Sequence, residues 1–473
     1  MSTANAERLT SASHWKSRQI TVSAIAILPD DVLLEMFSFY LAVVPRTETW
    51  HTLVHVCRRW RSIVFASPRR LDLRLVCTVR TRVKEMLDIW PILPIEIWAT
   101  GDYATAVSQG KGEDNIAATL EHKDRVYEIT VESFSSAVLE RIGTAMQEPF
   151  PALTDIRIAS LNKTAGPVFP QEFLGGSAQH LRSCFLYGIA IPGIRQLLLS
   201  ATNLVELHLW KIPHSTYVSP EALATCLSTM PSLKRLWLRF QSPQSRPNRH
   251  LPPRTRVVLP ALTRFWFKGV SEYLEDLVSR IGIPLLQNVD ITLFNQLIFN
   301  IPRLHDFLAR AEAFKAHSRA VLTFHRDTIG FDLESRVSLQ ISCTNSDWQI
   351  SSMAQVCSSF MPPFSTLERL DIREGSTSPR RWQDVEITQW LELLHPFTAL
   401  RDLYLDKKVA PRVVLAIRGL VEDNETEDLR TLQNLFIEDL KPSGPLQEAI
   451  GEFVAACQHS GFPLAVHSWD EQS

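Results

Sequence analysis

Glycine is scarce in this chain, 17 of 473 residues or about 4%, where soluble proteins average about 7%. Phosphate loops and dinucleotide folds draw on glycine because only glycine lets the backbone approach a ligand closely, so few such loops are expected. The seven cysteines (Cys57, Cys77, Cys184, Cys226, Cys343, Cys357, Cys457) are scattered and form no CxxC. That spacing argues against a disulfide framework or zinc ribbon and fits the reduced thiols of a cytoplasmic or nuclear protein. Neither sign of charge is in excess, with 49 Lys+Arg against 51 Asp+Glu and a net charge of -2. No global field therefore draws nucleic acid or an anionic membrane, and neither is expected as a partner. No apolar run approaches the roughly 18 to 20 residues that cross a bilayer. Residues 1–24 lack the apolar core of a secretory signal and read as a disordered tail.

Catalytic signatures are missing too. There is no GxSxG, P-loop or HExxH pattern, and Gly110-Lys111-Gly112 lacks the upstream glycine spacing and the following Ser or Thr of a phosphate loop. His51 and His55 sit i,i+4 but have no third ligand within sequence reach, and Cys57 with His55 reads as core. No enzyme activity, cofactor or metal is expected.

Leucine is abundant, 59 residues, and the apolar residues fall into two patterns. In the first, Pro29, Asp30 and Asp31 suit a helix start, and Val32, Leu33, Met36, Phe37, Tyr40 and Leu41 repeat at helical spacing. After Pro45, a second stripe places Trp50, Leu53, Cys57, Trp60 and Val64 at intervals of three and four. Ser67-Pro68 ends it, and Leu71, Leu73, Leu75 and Cys77 alternate as a short strand.

The ordered residues LPDDVLLEMF and WHTLVHVCRRWRSIVFASP resemble an F-box, close to the version common in basidiomycete fungal F-box proteins. The resemblance covers residues 25–72 and implies a Skp-type adaptor as partner and, through it, a cullin scaffold. It places adaptor binding on Leu28, Pro29, Val32, Leu33, Met36 and Phe37. So small a module buries little surface alone, and helix-in-groove docking would cover those residues. Residues 57–85 carry nine basic groups against two acidic ones, read as the solvated face of the second helix and a linker. Residues 73–149 are read as a linker and capping region.

The second pattern is a repeat. Leu153, Leu181, Leu204, Leu233, Leu262, Leu286, Leu367, Leu400 and Leu432 each begin an LxxLxL-like run, as in Leu233-x-x-Leu236-x-Leu238. Three residues before each leucine stands an apolar residue, and helical stretches fill the intervals of 23 to 33 residues. One interval, from Leu286 to Leu367, is about three periods long and holds degenerate repeats or an insertion. One strand and one helix per period is similar to the irregular leucine-rich repeat. The expected fold is therefore α/β: a small helical F-box, then a leucine-rich-repeat solenoid over 150–465 with a curved parallel sheet and outer helices, and a tail over 466–473.

Together the two resemblances imply the substrate-recognition subunit of a Skp/cullin/F-box ubiquitin ligase. A leucine-rich-repeat interaction scaffold without a ligase role, its front helices merely capping the solenoid, is the alternative. Residues between the inward positions of each strand would face the concave surface. They include His208, Trp210, Arg235, Trp237, Arg239, Arg264, Trp266 and Lys268, a basic and aromatic set suited to an acidic or phosphorylated protein segment. Later repeats turn acidic or polar, and the proline-rich loop 241–256 lies beside the patch.

Overall fold

A computed structural model describes residues 24–43, 49–101, 109–162, 166–243, 256–311, 314, 318–334, 336–343, 346–359, 366–375, 385–422, 431–440, 445–459 and 464–470. The N-terminal tail and most of the proline-rich loop lie outside them. The chain divides into two compact units: Met1–Val76 with Lys84–Ile95, and Cys77–Val83 with Glu96–Ser473. Among the described residues no helix is long and apolar enough to cross a membrane.

The first unit is helical, with α1 (Ala24–Ile27), α2 (Asp30–Val43), α3 (Thr49–Val56), α4 (Arg58–Ala66) and α5 (Val83–Ile89). Asp30 and Asp31 lie in the first turn of α2, where the helix dipole favours them, and Leu33, Leu34 and Phe37 form its buried face. The stripe from Trp50 to Val64 reads as one helix, but the structure breaks it at Cys57. The Cys57 backbone is extended (φ -158°, ψ 170°), and its Sγ accepts the Trp60 N–H at 3.5 Å as the cap of α4. Cys57 is thus exposed and not core. The break brings Trp60 to 4.7 Å from Phe37.

His51 stacks on Trp90 at 4.9 Å and His55 meets the same ring edge-on, so both histidines serve aromatic packing. Much of the basic stretch is tied down within the unit. Arg59 bonds Asp30 at 2.6 Å and the Leu28 carbonyl, Arg61 bonds the Val54 carbonyl, and Arg70 bonds Glu35 at 2.6 Å. These guanidiniums brace the helices against one another.

The second unit is a large, mostly parallel sheet with helices between its strands. The strand β1 (Leu75–Thr78) lies at the division. The sheet continues with β2 (Ile95–Thr100), β3 (Val126–Phe134), β4 (Asp155–Ser160), β5 (Ser183–Tyr187), β6 (Glu206–Ile212), β7 (Arg235–Phe240), β8 (Arg264–Gly269) and β9 (Asn288–Phe294). It then runs through β10 (Arg319–Phe324), β11 (Thr328–Leu333), β12 (Val337–Ser342), β13 (Arg369–Glu374), β14 (Asp402–Leu405), β15 (Asn434–Glu438) and β16 (Ala465–Trp469). All nine repeat copies are strands of this sheet, each beginning two residues after its leading leucine.

The apolar residue three positions earlier has a structural role as well. In Leu153, Leu181, Leu204, Leu233, Leu262, Leu286 and Leu400 the N–H donates to the carbonyl of Phe150, Ala178, Ala201, Met230, Leu259, Ile283 and Phe397, closing the turn that enters the strand. In the strands, buried residues such as Leu236 and Leu238 alternate with partly exposed ones such as Arg235, Trp237 and Arg239.

Two expectations are corrected, and an alternative left open is settled. Residues 73–149, read as a linker and capping region, are more than a linker: β2 and β3 belong to the sheet ahead of the first repeat strand, and β3 pairs in parallel with β4. Residues 466–469 are not tail, because β16 pairs in parallel with β15. The long interval holds an insertion that reverses strand order: β9 neighbours β12, then β11 and β10, and only then β13. β11 is antiparallel to both of its neighbours.

The helix layer contains one titration device. Glu275 on α6 (Ser271–Arg280) is buried between that helix and the segment Pro302–Ala309 and accepts the N–H groups of Arg303 and Leu304 at 2.9 and 2.8 Å. Burial pushes its carboxyl up to about 7, against the two N–H donors. A folded-state value above the ordinary 4.5 means the fold binds this proton more tightly than the unfolded chain does. The contribution is fully present below about 4.5 and is lost as pH rises through about 7, about 3 kcal/mol in all. In urea unfolding between pH 5 and pH 8 the stability difference between the parent chain and Glu275→Gln is expected to follow this slope, since His208, lowered to about 4, gives both chains the same opposing contribution.

Candidate functional site

The parallel register lines up one residue from each strand across the sheet. The middle row runs Arg157, Phe185, His208, Trp237, Trp266 and Asp290. Each repeat contributes the fifth residue counted from its leading leucine, so the sequence spacing alone sets this alignment. The row beside it holds Glu206, Arg235 and Arg264, and the row on the other side Trp210, Arg239 and Lys268. All eight residues expected to bind a substrate therefore meet on one patch of the sheet's open face.

Their contacts are close. Trp237 and Trp266 stack at 4.1 Å and 8°, and His208 lies 3.6 Å from Trp237. Arg157 lies over Phe185 at 4.1 Å while bonding Glu132, and Arg239 lies over Trp210 at 4.8 Å. Rings stacked from strand to strand occupy each other's faces, and the ring edges are left toward the open side. Those edges carry the positive part of the aromatic quadrupole, which suits an anion. The same stacking leaves little ring face for nucleobases.

The electrostatics refine the expectation. Burial, with Arg157 and Arg235 nearby, pushes His208 down to about 4, so it is a neutral aromatic rung at pH 7 and adds no charge. Its Nε2 lies 3.4 Å from Glu206 Oε2 without making a hydrogen bond, while Glu206 takes Arg235 at 3.0 Å. Burial lowers Lys268, and Arg239 and Lys211 lower it further. Cations crowded in this way gain from an added anion. The Trp210 Nε1 is buried and has no hydrogen-bond partner among the described residues. Asp290 ends the patch, its carboxyl raised by burial in spite of Arg239, with Asp332 adding to the rise.

Beyond Asp332 the face turns basic again, where the sequence read acidic or polar. Asp371, fully buried, accepts hydrogen bonds from Arg319 at 2.7 Å, Arg369 at 2.9 Å and Arg373 at 3.1 Å. Burial alone would raise its carboxyl, but Arg369 and Arg319 hold it below the ordinary value. Arg369 lies 3.7 Å over Tyr404, which stacks on Phe436 at 4.2 Å. Arg319 escaped the sequence reading because it belongs to the inserted meander and reaches β13 only through the reversed strand order. Beneath the first patch, a cavity lined by Leu209, Leu238, Phe240 and Tyr273 holds about 20 Å³, room for one water.

No family model matches the chain. No curated protein matches it either.

On the helical unit, the residues expected to bind an adaptor separate into two sets. Leu33 and Phe37 are buried, 0% and 2% exposed, and belong to the unit's own core, which corrects their assignment to a docking face. Leu28 is half-buried and Pro29 exposed, while Val32 and Met36 are 42% and 44% exposed. Phe39 at 72% and Val43 at 82% extend the latter two along α2. Val32, Met36, Phe39 and Val43 recur at intervals of four, three and four, a single helical face left open to solvent.

Proposed function

We propose that the chain is the substrate receptor of a Skp/cullin/F-box ubiquitin ligase. On this reading α2 docks a Skp-type adaptor through Val32, Met36 and Phe39, and the open sheet face holds an acidic or phosphorylated segment of the client protein. The observation that carries the proposal is the apolar stripe on α2: a small helical unit that already has its own core keeps a second, large hydrophobic face on one helix. Such a face fits the groove of a partner better than it fits water. The repeat sheet supports the client-binding half, since side chains from successive strands converge on one patch. The ligase chemistry then belongs to other subunits.

Affinity capture of the full chain from cells tests the proposal, with adaptor and cullin expected in the eluate. Capture of client proteins without either would leave an interaction scaffold in its place. Within the same experiment, Arg235, Trp237 and Trp266 replaced together by alanine should reduce client capture about tenfold or more, because truncation of Trp and Arg anchors commonly costs 2 kcal/mol or more each. An unchanged client set would move the site elsewhere.

A further inference from the structure

We infer that Lys211, Arg239 and Lys268 form a seat for the doubly charged phosphoryl group of a modified client residue, so that the first patch selects a phosphorylated segment over one that is only acidic. This rests on the reading of the sheet face as the client surface. Strand alternation would turn the residue after Trp210 toward the core, which hides Lys211 from the repeat spacing. The pairing of β6 with β7 shifts between Trp210 and Ile212, so Lys211 is the extra residue of a bulge, with φ at 50°. The bulge leaves Ile212 buried and puts the Lys211 Nζ 4.7 Å over the Tyr187 ring. Tyr187, Trp210, Arg239 and Lys268 make one row across β5, β6, β7 and β8. A third cation thereby joins the two that belong to this row.

The cations of the patch fall into two groups. Arg157 is paired with Glu132, and Arg235 with Glu206 at 3.0 Å. The charged heads of Lys211, Arg239 and Lys268 make no ion pair or hydrogen bond with the described residues and lie instead over the rings of Tyr187, Trp210 and Phe294, at 4.7, 4.8 and 5.5 Å. A ring face holds a cation in place without cancelling its charge. All three side chains are half-buried, so they have given up water without receiving a counter-charge. The charges felt at Lys268 are those of Arg239 and Lys211, both positive. Asp290 is the acid that feels Arg239, and counted in full it leaves two of the three positive charges uncancelled. A phosphoryl group brings a charge of about −1.5 to −2 at pH 7 and three acceptor oxygens, one for each head. A carboxylate brings one charge and two oxygens. Trp210 and Lys268 stand two strand steps apart, about 10 Å, a span that flexible lysine and arginine stems close around one group.

The test uses the full-length chain and immobilised degenerate nonapeptides, alike except for a central phosphoserine, aspartate or serine, with binding read by biolayer interferometry. The phosphoserine set is expected to bind at least about tenfold more tightly than the aspartate set. Lys211→Asn removes the ammonium but keeps a residue that tolerates positive φ, and should cancel most of that preference, whereas Lys211→Arg should keep it. Arg239→Gln with Lys268→Gln should abolish it. Equal binding of the phosphoserine and aspartate sets, or a preference that survives both charge-removing variants, overturns the seat. Should the variants fold poorly, the comparison of peptide sets on the unaltered chain decides alone. Inorganic phosphate should displace the phosphoserine set only at about ten times the peptide dissociation constant or more. Displacement at the dissociation constant itself would assign the seat to the free ion and overturn the client assignment. Arg235, Trp237 and Trp266 replaced together by alanine address the client surface separately. Peptide binding that ignores this change refutes the reading on which the seat rests, while binding that is lost with it but never favoured phosphoserine removes the seat alone.

Discussion

Val32→Asp, Met36→Asp and Phe39→Asp made together are expected to remove the adaptor from affinity captures while the chain stays folded. The three side chains form one face of α2 and are 42%, 44% and 72% exposed, so each substitution exchanges an apolar group at the surface for a charge that water still solvates. Surface changes of this kind usually alter stability by about 0.5 kcal/mol or less. Against a partner's groove, the same three carboxylates would have to be desolvated without counter-charges, at several kcal/mol each. That loss exceeds the roughly 8 to 12 kcal/mol of a micromolar to nanomolar interface. Immunoblotting of the eluate for the adaptor, with circular dichroism melts of the purified variants, checks both halves. Adaptor retained by a folded triple variant would dismiss α2 as the docking element.

Phe37→Ala is expected to do the reverse, damaging the fold first and binding only as a consequence. Phe37 is 2% exposed and packs 4.7 Å from Trp60, so truncation leaves a cavity costing about 3 to 5 kcal/mol. A helical unit of this size has a total stability on the order of 3 to 9 kcal/mol, and the substitution removes a large part of it. The tryptophan emission transition in urea should move to markedly lower denaturant, and limited proteolysis should cut within residues 30–66 while the sheet unit resists. A Phe37→Ala chain that melts like the parent yet loses the adaptor would return Phe37 to the docking face.

These two predictions mark where the sequence was readable and where it was not. In VLLEMFSFYL apolar residues occupy nearly every side of the helix, so periodicity announces a helix without saying which face turns inward. Only the packing of Trp60 against Phe37 decides it. Likewise the spacing of Trp50, Leu53, Cys57, Trp60 and Val64 is equally compatible with one helix or two, and the extended backbone at Cys57 leaves no trace in a pattern of apolar positions.

The sheet was far more legible, because each LxxLxL run needs its leucines buried at fixed offsets. The copies that escaped depart from leucine. Val126-x-x-Ile129-x-Val131 on β3 obeys the same spacing with β-branched residues, and Ile129 and Val131 pair with Ile156 and Ile158. The alignment of Arg235, Trp237, Arg239, Arg264, Trp266 and Lys268 followed from spacing alone, since parallel neighbours in register place equal offsets side by side. The arginine cluster on Asp371 could not be found this way. Arg319 and Asp371 are 52 positions apart, and their meeting depends on a change of strand order that no local pattern encodes.

That change of order also governs how the chain can assemble. A sheet built of successive repeats can grow one strand at a time as residues leave the ribosome, each new strand adding to the last. Here growth halts at Phe294, because the next strand to emerge, Arg319–Phe324, has no place beside it. The edge of β9 waits until Val337–Ser342 has been made and the meander has folded back on itself. Only then does β10 present the edge on which Arg369–Glu374 and everything after it is laid down. Nearest-neighbour growth is replaced at this point by closure of a longer loop, which is slower and costs more chain entropy. Laid down in chain order, the strands up to β9 complete the first patch before the residues of the arginine cluster are joined, and leave the parallel edge of β9 unpaired until β12 is in place.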